Sequence, residues 1–250
     1  MIIWLASYPR SGNTLTRIAV NALYGIKTHS MHADAPLNRQ DYRVAYGFVI
    51  NDKLKNKLYR LRDRPQRYFI KTHAVLDKPN YIQDEDKAIY IVRDGRDALV
   101  SRAHFFADKY AEYKGHFIGT LKRLVIEDIK YRPWSESVMT WAARPNTAYV
   151  RYEEMVVDPF GALGAAMAKL GVSIPKKSRE MPKFTTLHDS DSTFFRRGAA
   201  RAWVDEMPEE LIQEFWTRNW RGMVYYGYGD GGQVSASDIS DLQAEYGACP

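Results

Sequence analysis

The stretch YPRSGNT, Tyr8 to Thr14, sets Arg10 ahead of the small residues Ser11, Gly12, Asn13 and Thr14, between an apolar run and a helical pattern. A loop joining a strand to the start of a helix offers unpaired backbone N–H groups and the positive end of the helix dipole, which together favour an anion. The small residues let the main chain approach a phosphate, and Arg10 and Thr14 add side-chain donors. The Walker pattern is missing, because the cation precedes the glycine and no Lys-Ser/Thr pair is placed for Mg²⁺. An ordinary tight turn would use the same residues, so the loop alone leaves both readings open. Further along, KTH at Lys71 to His73 puts a cation beside an imidazole, whose ordinary pKa of ~6.5 suits proton removal near neutrality. Taken alone, a histidine after a strand reads as structural. His29 and His32 have a spacing seen in metal sites, yet no Cys or carboxylate cluster accompanies them, so they read as surface residues. His104 reads as packing or capping its helix, and no metal site is expected.

These groups need elements to position them. Ile2 to Ser7 is a short apolar run that reads as a buried strand, and Leu15, Ile18, Ala19, Ala22 and Leu23 then recur with helical spacing up to Gly25. RYFIKTH and AIYIVRD predict two more strands, the second passing into a helix through Ala98, Leu99, Ala103 and Phe106. Helical spacing returns at Phe117 to Val125, at Trp134 to Trp141, after the strand TAYVRY at Phe160 to Leu170, and at Leu211 to Trp216. Strands alternating with helices imply a mainly parallel sheet. Residues 29–67 read as a polar connector with a solvated basic helix, 173–204 as mostly loop with at most one short helix, and the Gly- and Ser-rich stretch from Gly227 as a peripheral tail.

The 250 residues suit one domain spanning 1–250, with 229–250 as its peripheral tail. A formal charge of +6 favours an anionic ligand without saying which. The single cysteine, Cys249, excludes an intramolecular disulfide and a cysteine metal cluster, which fits a reducing cytoplasm. No apolar run approaches the ~20 residues of a membrane span. Basic residues are scattered over loops instead of alternating with aromatics on one element, so neither nucleic acid nor membrane is expected as a partner.

The ordered set SYPRSGNT, IKTH, IVRDGRDALVS, VRYEEM and FFRRGAARAW resembles the sulfotransferase family, most closely bacterial relatives of the cytosolic small-molecule enzymes. The resemblance runs from about Ile3 to Tyr228. It implies a P-loop-like three-layer α/β fold with a central, mainly parallel sheet flanked by helices. It further implies a sulfuryl donor, 3′-phosphoadenosine 5′-phosphosulfate (PAPS), which leaves as 3′,5′-adenosine bisphosphate. YPRSGNT matches the loop that wraps the 5′-phosphosulfate, with Arg10 where the family usually has Lys. That exchange keeps the charge and changes its shape. Arg93 and Ser101 match the residues that grip the 3′-phosphate, and Arg196, Arg197 and Gly198 match a later segment folding over the nucleotide. Arg201 and Ala202 stand where the family often has Gly and Asp. Tyr152 matches a base-contacting Tyr, Thr185 or Thr186 falls near a second contact, and Leu15 replaces an aromatic that stacks on adenine. Arg96 and Asp97 read as a local surface pair.

By the same resemblance His73 is the general base, with Lys71 and Arg10 neutralising charge on the sulfonate and the bridging oxygen. The acceptor is a small-molecule hydroxyl: a phenol, a sterol-like or polyketide alcohol, a glycopeptide or a sugar all fit. Tyr42, Tyr46, Phe48, Phe105, Phe106 and Tyr110 hint at an aromatic-lined pocket. The competing readings are an ATP-dependent phosphotransferase using a strand-end acid such as Asp94 for Mg²⁺, and a catalytically silent anion-binding protein.

Overall fold

The computed structural model describes residues 1–31, 45–49, 54–76, 81–127, 132–177, 180–190, 192, 195–196, 200–229 and 235–247. Six strands, β1 Ile2–Ser7, β2 Thr28–Ser30, β3 Phe48–Val49, β4 Tyr68–Thr72, β5 Lys87–Val92 and β6 Thr147–Arg151, form one sheet in the order β3-β2-β4-β1-β5-β6. Every pairing is parallel, so all carboxyl ends lie along one edge. β1 is buried throughout because both its neighbours and both its faces are covered. Ile2, Trp4 and Ala6 face a core shared with Ile70, Tyr90 and Val92, whereas Ile3 and Leu5 face a second core with Phe69, Ile89 and Val150. Two cores on opposite faces make three layers, the P-loop-like arrangement expected.

The helices that matter most leave the carboxyl edge. α1, Asn13–Tyr24, starts at Gly12 (φ +97°) and ends at Gly25 (φ +66°), whose N–H donates to Asn21 O at 2.8 Å. After α2, Leu58–Arg62, the long α3, Gly95–Lys109, is capped by Asp94, whose carboxylate accepts from Arg96 N. α4 Phe117–Ile126 and α5 Trp134–Met139 follow, then α6 Tyr152–Val157 and α7 Pro159–Lys169 after β6. Among the described residues no helix is long and apolar enough to cross a membrane.

Three expectations need correction. The connector 29–67 holds two additional strands, β2 and β3, and His29 lies half-buried on β2 beside the Tyr68 ring instead of on the surface. Burial and the charge of Arg17 hold its pKa below the usual value. His32 lies outside the described residues. The stretch 173–204 carries one short helix within it, α8, Phe184–Ser190, as allowed for, and α9, Trp203–Glu206, begins at its end. After α10, Glu209–Tyr225, the tail forms α11, Ala236–Tyr246. Its Leu242 is 2% exposed in the main core, and Tyr225 Oη donates to Tyr246 O, so the tail docks where its Gly and Ser content suggested none. Cys249 is not among the described residues.

Candidate functional site

Adjacent strands β4, β1, β5 and β6 end in turn at His73, the loop 8–12, Arg93 and Tyr152. In open α/β sheets, ligands bind outside the carboxyl ends of the strands where the strand order reverses, and β1, flanked by β4 and β5, is such a place.

The loop after β1 is built from main chain. Arg10 (φ +69°) and Gly12 (φ +97°) both adopt the left-handed conformation, one residue apart, which curls the chain ahead of α1. The first turn of α1 has no side-chain cap and no acidic residue, so its N–H groups and dipole face no competing anion of their own. Ser11 Oγ is buried with no hydrogen-bond partner among the described residues. A buried hydroxyl beside uncapped N–H groups suits the oxygen of a phosphate or sulfate. Asn13 works in the opposite direction: its Nδ2 donates to Leu5 O at 2.7 Å and Ser7 Oγ at 3.2 Å, tying the helix start back to the strand. Its side chain is therefore structural, and only its backbone belongs to the cradle. Thr14 is buried at the same turn.

His73 sits across from this loop. Its Nδ1 lies 2.7 Å from Ser7 O and 3.3 Å from Ser7 Oγ. A carbonyl oxygen only accepts, so Nδ1 carries a proton, and in the neutral ring the lone pair then lies on Nε2. That is the tautomer a general base at Nε2 requires. Lys71, two residues earlier on β4, is half-buried and pairs with Leu5 and Ser30 in the sheet.

On the other side, Arg10 Nε donates to Ser101 Oγ at 3.1 Å, with its guanidinium 5.1 Å from the Phe105 ring. Arg93 Nη1 donates to Arg10 O at 3.1 Å and lies over the Tyr152 ring at 4.3 Å. Arg10, Arg93 and Ser101 thus form one cluster, although they are spread over 92 residues of sequence. Tyr152, buried in the first turn of α6, also abuts Gly12: a Cβ there would come 2.5 Å from Tyr152 Cδ2. Next to it, Glu153 accepts from Tyr228 Oη at 2.9 Å; burial pushes its pKa up against those hydrogen bonds.

The late segment meets this cluster through acids. Arg196 Nη2 donates to Glu206 Oε1 at 2.9 Å, while Glu206 Oε2 lies 2.5 Å from His104 Nε2. Burial would raise the Glu206 pKa, but the contacts from His104 and Arg196 outweigh it and hold the group below the usual carboxylate range. His104 also stacks on Phe117 at 4.0 Å, so the expected packing role comes with a polar contact to Glu206. Arg197 and Gly198 lie outside the described residues. Thr185 and Thr186 are exposed on α8, and Leu15 is partly buried against the second core. Of the aromatics expected around an acceptor, Phe105 touches the cluster through Arg10; Phe106 is buried core, Tyr46 and Phe48 pair at 6.1 Å, and Tyr42 is not described.

Arg96 and Asp97 are not a surface pair. Both are 1% exposed, and each has partners of its own. Arg96 binds Asp94 at 2.7 Å and stacks on Trp203 at 3.6 Å, whereas Asp97 accepts the N–H of Arg201 at 2.7 Å and of Trp203 at 3.0 Å. The ends of sheet strands are crowded by the segments that fold over them, and here residues more than a hundred positions away cover the charges. Sequence reasoning also missed Arg102, whose Nη1 donates to Tyr8 Oη at 2.8 Å and props the loop from α3. Its spacing in RDGRDALVSR, one residue past Ser101, was the available signal.

The family model for the Sulfotransferase domain matches residues 2–220. Sulfotransferase 1 family member D1 of Mus musculus is 21% identical over 242 residues, covering 85% of this chain and 80% of that protein. Sulfotransferase 1A1 of Canis lupus familiaris is 24% identical over 225 residues, covering 80% and 75%. Among solved structures, mouse sulfotransferase SULT7A1 complexed with PAP superposes with a TM-score of 0.60 at 21% identity over 98% of this chain and 87% of that one. Retinol dehydratase in complex with androsterone and the inactive cofactor PAP gives 0.58 at 20% identity, covering 94% and 83%.

Proposed function

The chain belongs to the Sulfotransferase domain family, and from that premise we propose that it moves the sulfuryl group of PAPS to a hydroxyl of a small-molecule acceptor. The observation that carries this reading is the convergence, on one sheet edge, of an uncapped helix start, an Arg93–Arg10–Ser101 cluster and an imidazole whose Nδ1 is bound to the Ser7 carbonyl. The loop 10–14 holds the 5′-phosphosulfate through backbone N–H groups and Ser11 Oγ. Arg93 and Ser101 hold the 3′-phosphate, Arg93 through a charge-assisted contact, and Arg196, Arg197 and Gly198 close over it. Tyr152, beside Gly12, borders the base. PAP bound in the solved relatives supports this donor.

In the transfer, the acceptor O–H gives its proton to His73 Nε2 as its oxygen forms the O–S bond. The bond from sulfur to the bridging oxygen breaks, leaving 3′,5′-adenosine bisphosphate and a sulfate ester. The Ser7 carbonyl, accepting from Nδ1–H, stabilises the imidazolium that forms. Lys71 and Arg10 neutralise the sulfonate and the departing oxygen. The phosphotransferase alternative loses its best Mg²⁺ ligand, because the Asp94 carboxylate is engaged by Arg96 and caps α3. The chain is taken to act as a single domain in the cytoplasm.

Calorimetric titration with 3′,5′-adenosine bisphosphate, beside ADP and ATP with and without Mg²⁺, tests the reading. Tight, metal-independent binding of the bisphosphate, well above ADP, is the expected result. Preference for ATP with Mg²⁺ would sink it.

A further inference from the structure

Asp97 stands where the two halves of the proposed 3′-phosphate grip meet. It lies on α3 one turn after Arg93, with Oδ2 3.6 Å from Arg93 Nη2 and its side chain fully enclosed. The same carboxylate accepts N–H groups from Arg201 and Trp203, just beyond the segment that carries Arg196. Arg201 has φ +65°, the left-handed region that residues with a Cβ seldom enter, and this turn brings two N–H groups, two residues apart, onto one carboxylate. Its neighbour Arg96 adds a second clasp by stacking on the Trp203 ring. A buried carboxylate is costly unless its partners are complete, and those of Asp97 come from both the strand-end arginine and the late main chain.

We propose that Asp97 is a positioning residue for donor binding: it orients Arg93 and anchors the 201–203 turn, so that Arg196 reaches the same 3′-phosphate that Arg93 and Ser101 hold. The inference rests on the donor reading above. It gives Asp97 no contact with substrate; its effect passes through Arg93 and the turn, and it falls chiefly on the 3′-phosphate.

The test compares calorimetric affinities of wild type and Asp97→Asn for 3′,5′-adenosine bisphosphate and for 5′-AMP, which lacks the 3′-phosphate. The asparagine keeps the size and one acceptor but turns an NH₂ toward an N–H. Bisphosphate affinity should fall about tenfold or more, the scale of a lost hydrogen bond to a charged group, while 5′-AMP affinity holds and the preference between the two collapses. Equal weakening of both ligands would mark a merely structural residue and overturn the inference, as would an unchanged preference. A wild type with no preference would overturn the donor reading itself. Hydrogen exchange on the wild type covers a variant that fails to fold: the Arg201 and Trp203 amides should be strongly protected without ligand, and free exchange there would refute the anchor.

Discussion

The loop after β1 and the segment 180–206 flank the same site and are built in opposite ways. The first is main chain fixed on every side: a strand enclosed in the sheet leads in, Asn13 ties the helix start to that strand, Arg93 grips the Arg10 carbonyl and Arg102 holds Tyr8. Among its described residues the second has two short helices, α8 and α9, with Lys183 to Thr186 exposed. It reaches the body through a small cluster in which Leu187 and Phe195 meet Ile18 and Phe48, and through the carboxylates of Asp97 and Glu206. One side of the site is a rigid cast and the other a flap held by individual side chains. In the first a substitution disturbs geometry; in the second it releases a tether.

The comparison can be broken first at His73, which belongs to the rigid side. His73→Ala should lower turnover by about a hundredfold or more, the usual worth of a positioned base, with bisphosphate affinity nearly unchanged; assay of sulfate transfer to a responsive phenol or alcohol reads the first and calorimetry the second. Near wild-type turnover would remove His73 as the base. Gly12→Ala tests the cast itself. At φ +97°, with a Cβ 2.5 Å from Tyr152 Cδ2, the substitution should cost about 1–3 kcal/mol by thermal or denaturant unfolding, and donor binding should weaken with it. A variant as stable as wild type would mean that the loop yields easily.

The smallest effect is expected on the flap. Glu206→Gln should reduce stability at neutral pH by under about 1 kcal/mol, since the pair is partly solvated. The folded-state pKa of Glu206 lies below the ordinary carboxylate value, so its pairing is fully present above that value and is lost as pH falls through the lowered one. The gap in melting temperature between variant and wild type should therefore be seen at neutral pH and close at acid pH. A gap that widened on acidification would contradict the assigned pairing with Arg196 and His104.

The same division explains what the sequence disclosed. Strands buried on both faces read as short runs of branched and aromatic residues, and IIWLAS and KAIYIV were legible for that reason. THS and FV were not, being three and two residues long with polar or mixed neighbours. The last helix hid behind its glycines, although Ser235 and Asp238 form a capping box at its start. In the proposed site, the loop and the strand-end arginine could be picked out because the motifs that single them out are local runs of sequence. Asp97 was not, because adjacent opposite charges look like a solvated pair; only the fold brings Arg201 and Trp203 onto it.

The central place of β1 also sets an order of events. Its partners on either side are Tyr68 to Thr72 and Lys87 to Ile91, so this strand has no neighbour in the sheet until about sixty further residues exist and lacks the second until about eighty do. During synthesis Ile2, Ile3, Trp4 and Leu5 must wait with unpaired backbone and uncovered side chains. Such distant parallel pairing makes folding slow and leaves an apolar strand open to wrong partners in the interval. The cradle that α1 and its loop form is therefore completed late, when β4 and β5 close on either side of the strand that carries it.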